Sequence, residues 1–526
     1  MLRLIRLGRF ADAARALTAE PLAPLNGATL RALQEKFPPA PEGEAMPPST
    51  LVPGEDVPFT KECVRACLAS FKRGSGAGLS TLTPDILKLA VSAAMRAHRD
   101  EELLDSIVQL MQVLCKGQAP QEVAPWLCGG RLIPVGAKVR PIIVSDVLAR
   151  LCSKAMLSLE LDTVTHDRVF KGIQGGVGEP GAVERTVHML RQEMQSRADQ
   201  VDHAILQVDF RNGFNSVHRA PIMEQLNTHT PALGRWFRWA HLRPLALVLS
   251  DGTTMEAPTG TGQGDPASPA YFAMTLQPVL DRIADSWGDA VGVHRAFLDD
   301  LVISGPAHVL VEILQFLRED AMVLHRGLTV RPDKCCIFMP NQGVPEGLHR
   351  QYGIPPDIQL VTMDGGITAL GVPLGSDDYV TRLMDGIAAS VKQFGDNLEA
   401  LEHGQLELLL HTYSGGLNRV MYLYRCLPSE SLGTISRACE EESARLLQRL
   451  TAPASGVTGA MTAQAHLPRR YGGLGLLEVQ HAGDAAFIAA TLATLPQDRN
   501  ASVTLAHNLD FTSALNRYNR LGLCHK

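Results

Sequence analysis

The stretch Ala296-Phe297-Leu298-Asp299-Asp300-Leu301-Val302-Ile303 sets two adjacent carboxylates at the join of two short apolar runs. Asp is disfavoured inside strands and tolerated in turns, so this pattern predicts a strand ending at Leu298, a turn at the acid pair and a returning strand. A hairpin of that kind carries two like charges at its tip, and cations are their natural partners. The plainer reading of such a pair is a solvated turn. Gly375-Ser376-Asp377-Asp378, polar on both sides, reads as one.

Working outward, Ala204-Ile205-Leu206-Gln207-Val208-Asp209 is apolar until it ends on an acid, and Phe210 to Val217 supply a turn after it. A helix N-cap is the alternative role for Asp209. A helix near 219–228 follows, then Pro258-Thr259-Gly260-Thr261-Gly262-Gln263-Gly264-Asp265 and an apolar helix from Ala270 to about Ala284. Three glycines in five residues let backbone approach a ligand closely, and the helix N-terminus beyond them favours an anion. After the acid hairpin come a helix from about Ala307 to His325, the apolar Leu328-Thr329-Val330, and Lys334. From Asp209 onward this order matches a split β-α-β fold whose first and third strands are neighbours. Such a sheet brings Asp209 beside Asp299 and Asp300, and three converging carboxylates need divalent metal.

Upstream of Asp209, Arg131 to Gly136 and Lys138 to Asp146 read as a two-stranded ribbon with basic residues on one face, followed by helices over 147–165 and 181–198. Residues 1 to about 35 show an amphipathic helical pattern with Arg3, Arg6 and Arg9 ahead of the first acid, Asp12. A mitochondrial transit peptide is the sharper reading of it; a helix packed on the body is favoured, because Asp12 and Glu20 come early. Residues 37–58 are Pro-rich and read as a linker or extended wrap. Helical periodicity returns from Thr60 to about Cys115, broken at Gly74-Ser75-Gly76-Ala77-Gly78, which reads as a plain turn.

The bulk properties set limits. With 526 residues, 45% hydrophobic and 20% charged, the chain is long enough for three or four domains. No apolar run reaches the roughly 18 residues of a membrane span. The ten cysteines form no C-x-x-C pair and read as buried thiols in a reducing compartment. A zinc site at Cys63 and Cys67 is disfavoured for want of a second pair of ligands. The net charge of −6 argues mildly against a nucleic-acid partner, yet between Arg131 and Lys154 five bases face the single acid Asp146.

Taken together, VDFRNGFNSV (208–217), TGTGQGDPASP (259–269), FLDDL (297–301), LTVRPDK (328–334) and ALGVPLG (369–375) resemble, in order, the five palm motifs of the reverse transcriptase domain of non-LTR retrotransposons. RLIPVGAKVRPIIVSDVLARLCSKAM (131–156) resembles the fingers segment of that family, and the helical stretches before residue 125 and PRRYGGLGLLEVQHAGDAAFIAA (468–490) resemble its flanks. The resemblance implies an α+β right-hand polymerase: a helical N-terminal extension over 1–125, fingers over 126–200, a palm with the split β-α-β sheet over 201–375, and a helical thumb and C-terminal region over 376–526. It implies an RNA-directed DNA polymerase that adds deoxynucleotides to a primer 3′ end. Its partners would be an RNA template, a DNA primer or target DNA, and deoxynucleoside triphosphates, with no membrane and an intracellular, nuclear setting.

Residue by residue, the resemblance implies two Mg²⁺ ions, replaceable by Mn²⁺, on Asp209 and Asp299, with Asp300 completing the cluster. Phe214 matches the steric gate against a 2′-hydroxyl, and Gln263 and Gly264 match residues packed on the incoming nucleotide and template. Arg140 would contact the triphosphate and Lys334 would give a proton to pyrophosphate. The sequence departs from the family in three places: Phe297-Leu298 replaces the usual Tyr-Ala, Gly213 replaces an Ala, and Val135 stands where Ile-Pro-Lys places a lysine, with Lys138 as the substitute. An RNA-dependent RNA polymerase is disfavoured by Gly213 and Phe214, where a second Asp is expected. A decayed or domesticated copy that binds nucleic acid without catalysis is the other alternative. With too few residues upstream for an endonuclease and no Cys/His cluster near its end, the chain reads as a fragment of an element or a standalone copy.

Overall fold

The computed structural model describes residues 1–51, 57–343, 346–451, 456–494 and 508–520. Its strands, in chain order, are β1 (Gly130–Val135), β2 (Arg140–Val144), β3 (His203–Val208), β4 (Leu245–Val248), β5 (Thr254–Ala257), β6 (His294–Phe297), β7 (Asp300–Pro306), β8 (Cys336–Met339), β9 (Gln359–Thr362), β10 (Ile367–Ala369) and β11 (Val372–Leu374).

β3, with Ala204 to Leu206 buried on both faces, is the middle of a five-stranded sheet in the order β6-β7-β3-β8-β9, antiparallel except where β8 meets β9. Alternation along the strands sorts side chains between two faces. Leu206, Val208, Leu301, Ile303 and Ile337 point into the largest core, beneath the helices Ser268–Trp287 and Ala307–Glu319. Ile205, Val302, Cys336 and Phe338 point the other way, against Leu190, Ile367 and Leu374. Truncating one of these fully buried side chains to Ala would cost about 2–5 kcal/mol. The expected neighbour relation holds, since β3 pairs with β7, the second strand of the hairpin.

Two expectations for this sheet need correction. The hairpin turn is Leu298-Asp299 and not the acid pair, because Asp300 already pairs with Phe297 as the first residue of β7, and Leu298 turns the chain at φ +58°. Leu328-Thr329-Val330 is not a strand of the sheet; it makes one bridge, Val330 to Phe210, and Pro332 then opens a short 3₁₀ turn. The sheet strand is the next run, β8.

The basic ribbon is present as β1 and β2, with Val135 opposite Arg140. It belongs to a four-stranded sheet, β2-β1-β4-β5, whose last two strands are only four residues each and left no period in the sequence to read. The core of this sheet holds Leu132, Ile143, Leu245 and Leu247, and Leu33 and Phe37 from the N-terminal segment close it.

The helix expected over 147–165 breaks into Val147–Glu160 and Thr163–Phe170, because Asp162 caps the second by accepting from Thr165 N–H at 2.8 Å. The N-terminal amphipathic pattern likewise divides into the short helices Leu2–Arg6, Phe10–Ala16 and Gly27–Gln34, with Gly8 at φ +71° between the first two. The first two pack on the late helices, with Ala13 and Ala14 buried against Phe394, Leu398 and Leu410. Parts of 37–58 run as an extended wrap: Pro47 and Pro48 carbonyls accept from Arg238 and Asn227 side chains, while residues 52–56 lie outside the described set. Gly375-Ser376-Asp377-Asp378 is not a free turn. Ser376 caps the 23-residue helix Asp377–Glu399, accepting from Tyr379 N–H, and both acids sit in its positive first turn. All nine described cysteines are free thiols. Among the described residues no helix is long and apolar enough to cross a membrane.

Candidate active site

Asp209 is the first residue beyond β3, and the β3–β7 register, with Val208 opposite Leu301, leads directly to Asp300 as the residue facing it. Opposed positions on adjacent strands share a face, with Cβ atoms about 5 Å apart. Asp299 occupies the second position of the hairpin turn. A Cβ built on Gly213 would lie 3.4 Å from Cβ of Asp299 and 3.0 Å from the Phe272 ring, so the glycine leaves room where the family's alanine would press. Lys334 reaches the cluster from before β8 and sets Nζ 3.3 Å from Oδ2 of Asp209.

The electrostatics follow from that crowding. Burial raises the Asp299 carboxyl, and the charge of Asp209 raises it further while Lys334 opposes. The Asp300 carboxyl is pushed up to about 6, by burial first and then by the charges of Asp299 and Asp209. Its surface nevertheless opens toward solvent, so the repulsion is the part that a bound cation would relieve. Among the described residues no three His, Cys, Asp or Glu side chains close tightly enough to hold an ion in this conformation. The donor chemistry still fits a hard divalent cation: all three groups are carboxylates, two are raised by their neighbours' negative charge, and none of them is a nitrogen or sulfur donor.

LTVRPDK fixes the backbone that carries Asp209. Arg331 N–H donates to Asp209 O at 2.9 Å, Arg211 N–H to Thr329 O at 2.8 Å, and Asp209 N–H to Cys335 Sγ at 3.4 Å. Phe214 is half buried, and its ring stacks on Phe272 with centroids 5.2 Å apart. The glycine-rich loop ties that turn to the ribbon: Thr261 N–H donates to Phe214 O at 2.7 Å, and Ile143 N–H donates to Gln263 O at 2.8 Å. Gly264, at φ +135°, lies so close to Ile143 O that no side chain fits there. Arg140 and Lys138 are exposed at the near end of the same ribbon.

Gln174 belongs to the site and was not expected. It is fully buried, and its Oε1 accepts from Leu298 N–H at 2.8 Å and from Gly176 N–H at 3.0 Å, while Nε2 donates to Leu298 O at 3.3 Å. Ile173 and Gly175 add backbone hydrogen bonds to Ala296. The one sequence signal was five glycines between 172 and 181, which mark a close backbone approach without saying to what.

Residues 135–374 match the family described as Reverse transcriptase (RNA-dependent DNA polymerase). The chain is also similar to the Retrovirus-related Pol polyprotein from type-1 retrotransposable element R2 of Nasonia vitripennis, 25% identical over 173 residues. That alignment covers 31% of this chain and spans 16% of the polyprotein. Among solved structures, telomerase from Candida albicans in complex with a TWJ fragment of telomeric RNA aligns over 76% of this chain and 65% of its own, at 10% identity and a TM-score of 0.41. The matched residues contain β2 to β11, with the acid hairpin and its partners, in an α+β fold. Residues 135–374 thus match the reverse transcriptase family, and the chain is similar over 173 residues to a retrotransposon polyprotein.

Proposed function

We propose that the chain is an RNA-directed DNA polymerase that extends a primer 3′ end with deoxynucleotides on an RNA template. The observation that carries this reading is the meeting of Asp209 with Asp299 and Asp300, 90 positions away in sequence, where β3 ends beside the β6–β7 turn. Reverse transcriptases use divalent metal ions; here Asp209 and Asp299 would hold two Mg²⁺, with Asp300 completing the set and Mn²⁺ as a substitute. Such ions activate the primer hydroxyl and neutralise phosphate charge. Lys334, already beside Asp209, is suited to hand a proton to the departing pyrophosphate. Arg140 and Lys138 would contact the nucleotide's phosphates, Phe214 would crowd its sugar, and Gln263 and Gly264 would pack against the incoming nucleotide and template. Fingers over 126–200, palm over 201–375 and thumb over 376–526 would enclose the duplex.

Val135, where a phosphate-binding lysine is usual, favours a second reading as a non-catalytic nucleic-acid-binding copy. Primer extension with Mg²⁺ on an RNA template separates the two: a DNA product supports the polymerase, while tight template binding without product supports the copy.

A further inference from the structure

The N-terminal segment is stitched to the Val135–Arg140 end of the basic ribbon. Leu22 bridges Val135, Ala23 N–H donates to Pro134 O at 3.1 Å, and Gly136 N–H donates to Pro21 O at 3.1 Å. Leu33 and Phe37 are then buried among Leu132, Ile143 and Leu245, which pins the residue between them, Lys36, against the same sheet. Lys36 is half buried, and the charges it meets there are Arg331, Lys334 and Arg140, with only its neighbour Glu35 of opposite sign. Burial, then those three cations, hold its ammonium below the usual lysine range. Arg331 is paired with Asp333 and Lys334 with Asp209, but no carboxylate pairs with Lys36, Lys138 or Arg140 among the described residues. Four cations from three separate segments thus crowd one spot next to the acid cluster. Like charges repel, and an anion of several charges bound among them would relieve both that repulsion and the partial burial of the ammonium.

We infer that Lys36, delivered by the N-terminal segment, binds the phosphates of the incoming nucleoside triphosphate together with Arg140 and Lys334. This rests on the polymerase reading above and adds to it a residue from outside the matched 135–374 domain. A lysine there would make the N-terminal segment part of the substrate site and not a mere appendage.

The test compares the full chain with Lys36→Met, which keeps the aliphatic stem, with Lys36→Arg, which keeps the charge, and with Lys36→Met combined with Val135→Lys. Val135 faces Arg140 in the ladder, so a lysine at that position returns a charge beside it. Deoxynucleotide KM in primer extension, equilibrium binding of inorganic tripolyphosphate and primer–template affinity are read side by side. Lys36→Met is expected to raise KM roughly 10- to 100-fold, the effect of losing one hydrogen bond to a charged group, and to weaken tripolyphosphate in parallel. Primer–template affinity should be unchanged, and both other variants should recover most of the loss. Unchanged KM and tripolyphosphate binding in a folded Lys36→Met protein would overturn the inference, as would a loss confined to primer–template affinity. A wild type that extends no primer yet binds tripolyphosphate through Lys36 would sink the polymerase reading and leave the anion site standing.

Discussion

Gln174 holds Leu298 by both ends of its backbone, accepting from its N–H at 2.8 Å and donating to its carbonyl at 3.3 Å. Leu298 needs this hold, because φ +58° costs a branched residue about 1–2 kcal/mol. The next residue is Asp299, so the amide of Gln174 fixes the direction in which the Asp299 carboxylate leaves the turn. Gln174→Met leaves Leu298 N–H, Leu298 O and Gly176 N–H unpaired in a buried site, and we expect about 2–4 kcal/mol less stability. Turnover should fall further than that loss explains at temperatures where the variant is folded, with a raised metal requirement. Gln174→Glu keeps the acceptor and should retain more activity; equal defects in both variants would count against a positioning role. Thermal melts and Mg²⁺ titrations of activity provide the check.

The raised Asp300 carboxyl makes stability depend on pH in a defined sense. A folded-state pKa near 6, above the ordinary carboxylate value, means that the folded protein binds the proton more tightly, so stability falls as pH rises from the ordinary range through about 6. Buried neutral histidines such as His294, pushed down to about 4 by burial, act in the opposite sense as pH falls. Comparing wild type with Asp300→Asn cancels them. Without metal, the Asn variant should gain in melting temperature over wild type above pH 6, and Mg²⁺ should erase the difference. Equal melting curves across pH 5 to about 8 would mean that the carboxylates do not repel.

Phe214 stacks on Phe272 five residues after Asp209, which suits it to crowd a ribose 2′-hydroxyl. Phe214→Val should lower the preference for deoxy- over ribonucleotides by roughly 10- to 200-fold in kcat/KM while leaving deoxynucleotide addition intact. A ring that served only as packing would instead lower both activities alike and reduce stability. The ratio for one nucleotide pair on one primer–template decides.

Arg140 is exposed at the start of β2, opposite Val135, with no ion pair among the described residues. Arg140→Ala should therefore raise deoxynucleotide KM by about 1.5–3 kcal/mol equivalent with little change in melting temperature. Loss of template affinity at constant KM would assign Arg140 to the nucleic-acid track instead.

The acid pair, the strand ending at Asp209 and the glycine-rich loop were legible because each is a short-range pattern: period-two alternation, turn chemistry or glycine spacing. The meeting of Asp209 with Asp300 was legible as well, since a split β-α-β order leaves few topologies. What escaped was long-range. Gln174 acts 124 residues away through a neutral amide, which no charge or period marks. Lys36 is one lysine in a helical tail, given meaning only by the burial of Leu33 and Phe37 under the ribbon. β4, β5 and β8 are four residues each, too short for periodicity to speak, and the break at Pro332 moved the last palm strand from Leu328 to Cys336.

The central claim is that three carboxylates gathered where β3 ends and β7 begins drive templated DNA synthesis. Extension of a DNA primer on an RNA template with Mg²⁺ and deoxynucleotides, by wild type and by Asp299→Asn, tests it most directly. Wild type should extend the primer, and the variant, folded and still binding primer–template, should lose about three orders of magnitude or more, since a held metal contributes several kcal/mol to the transition state. Extension by Asp299→Asn near the wild-type rate would contradict the account.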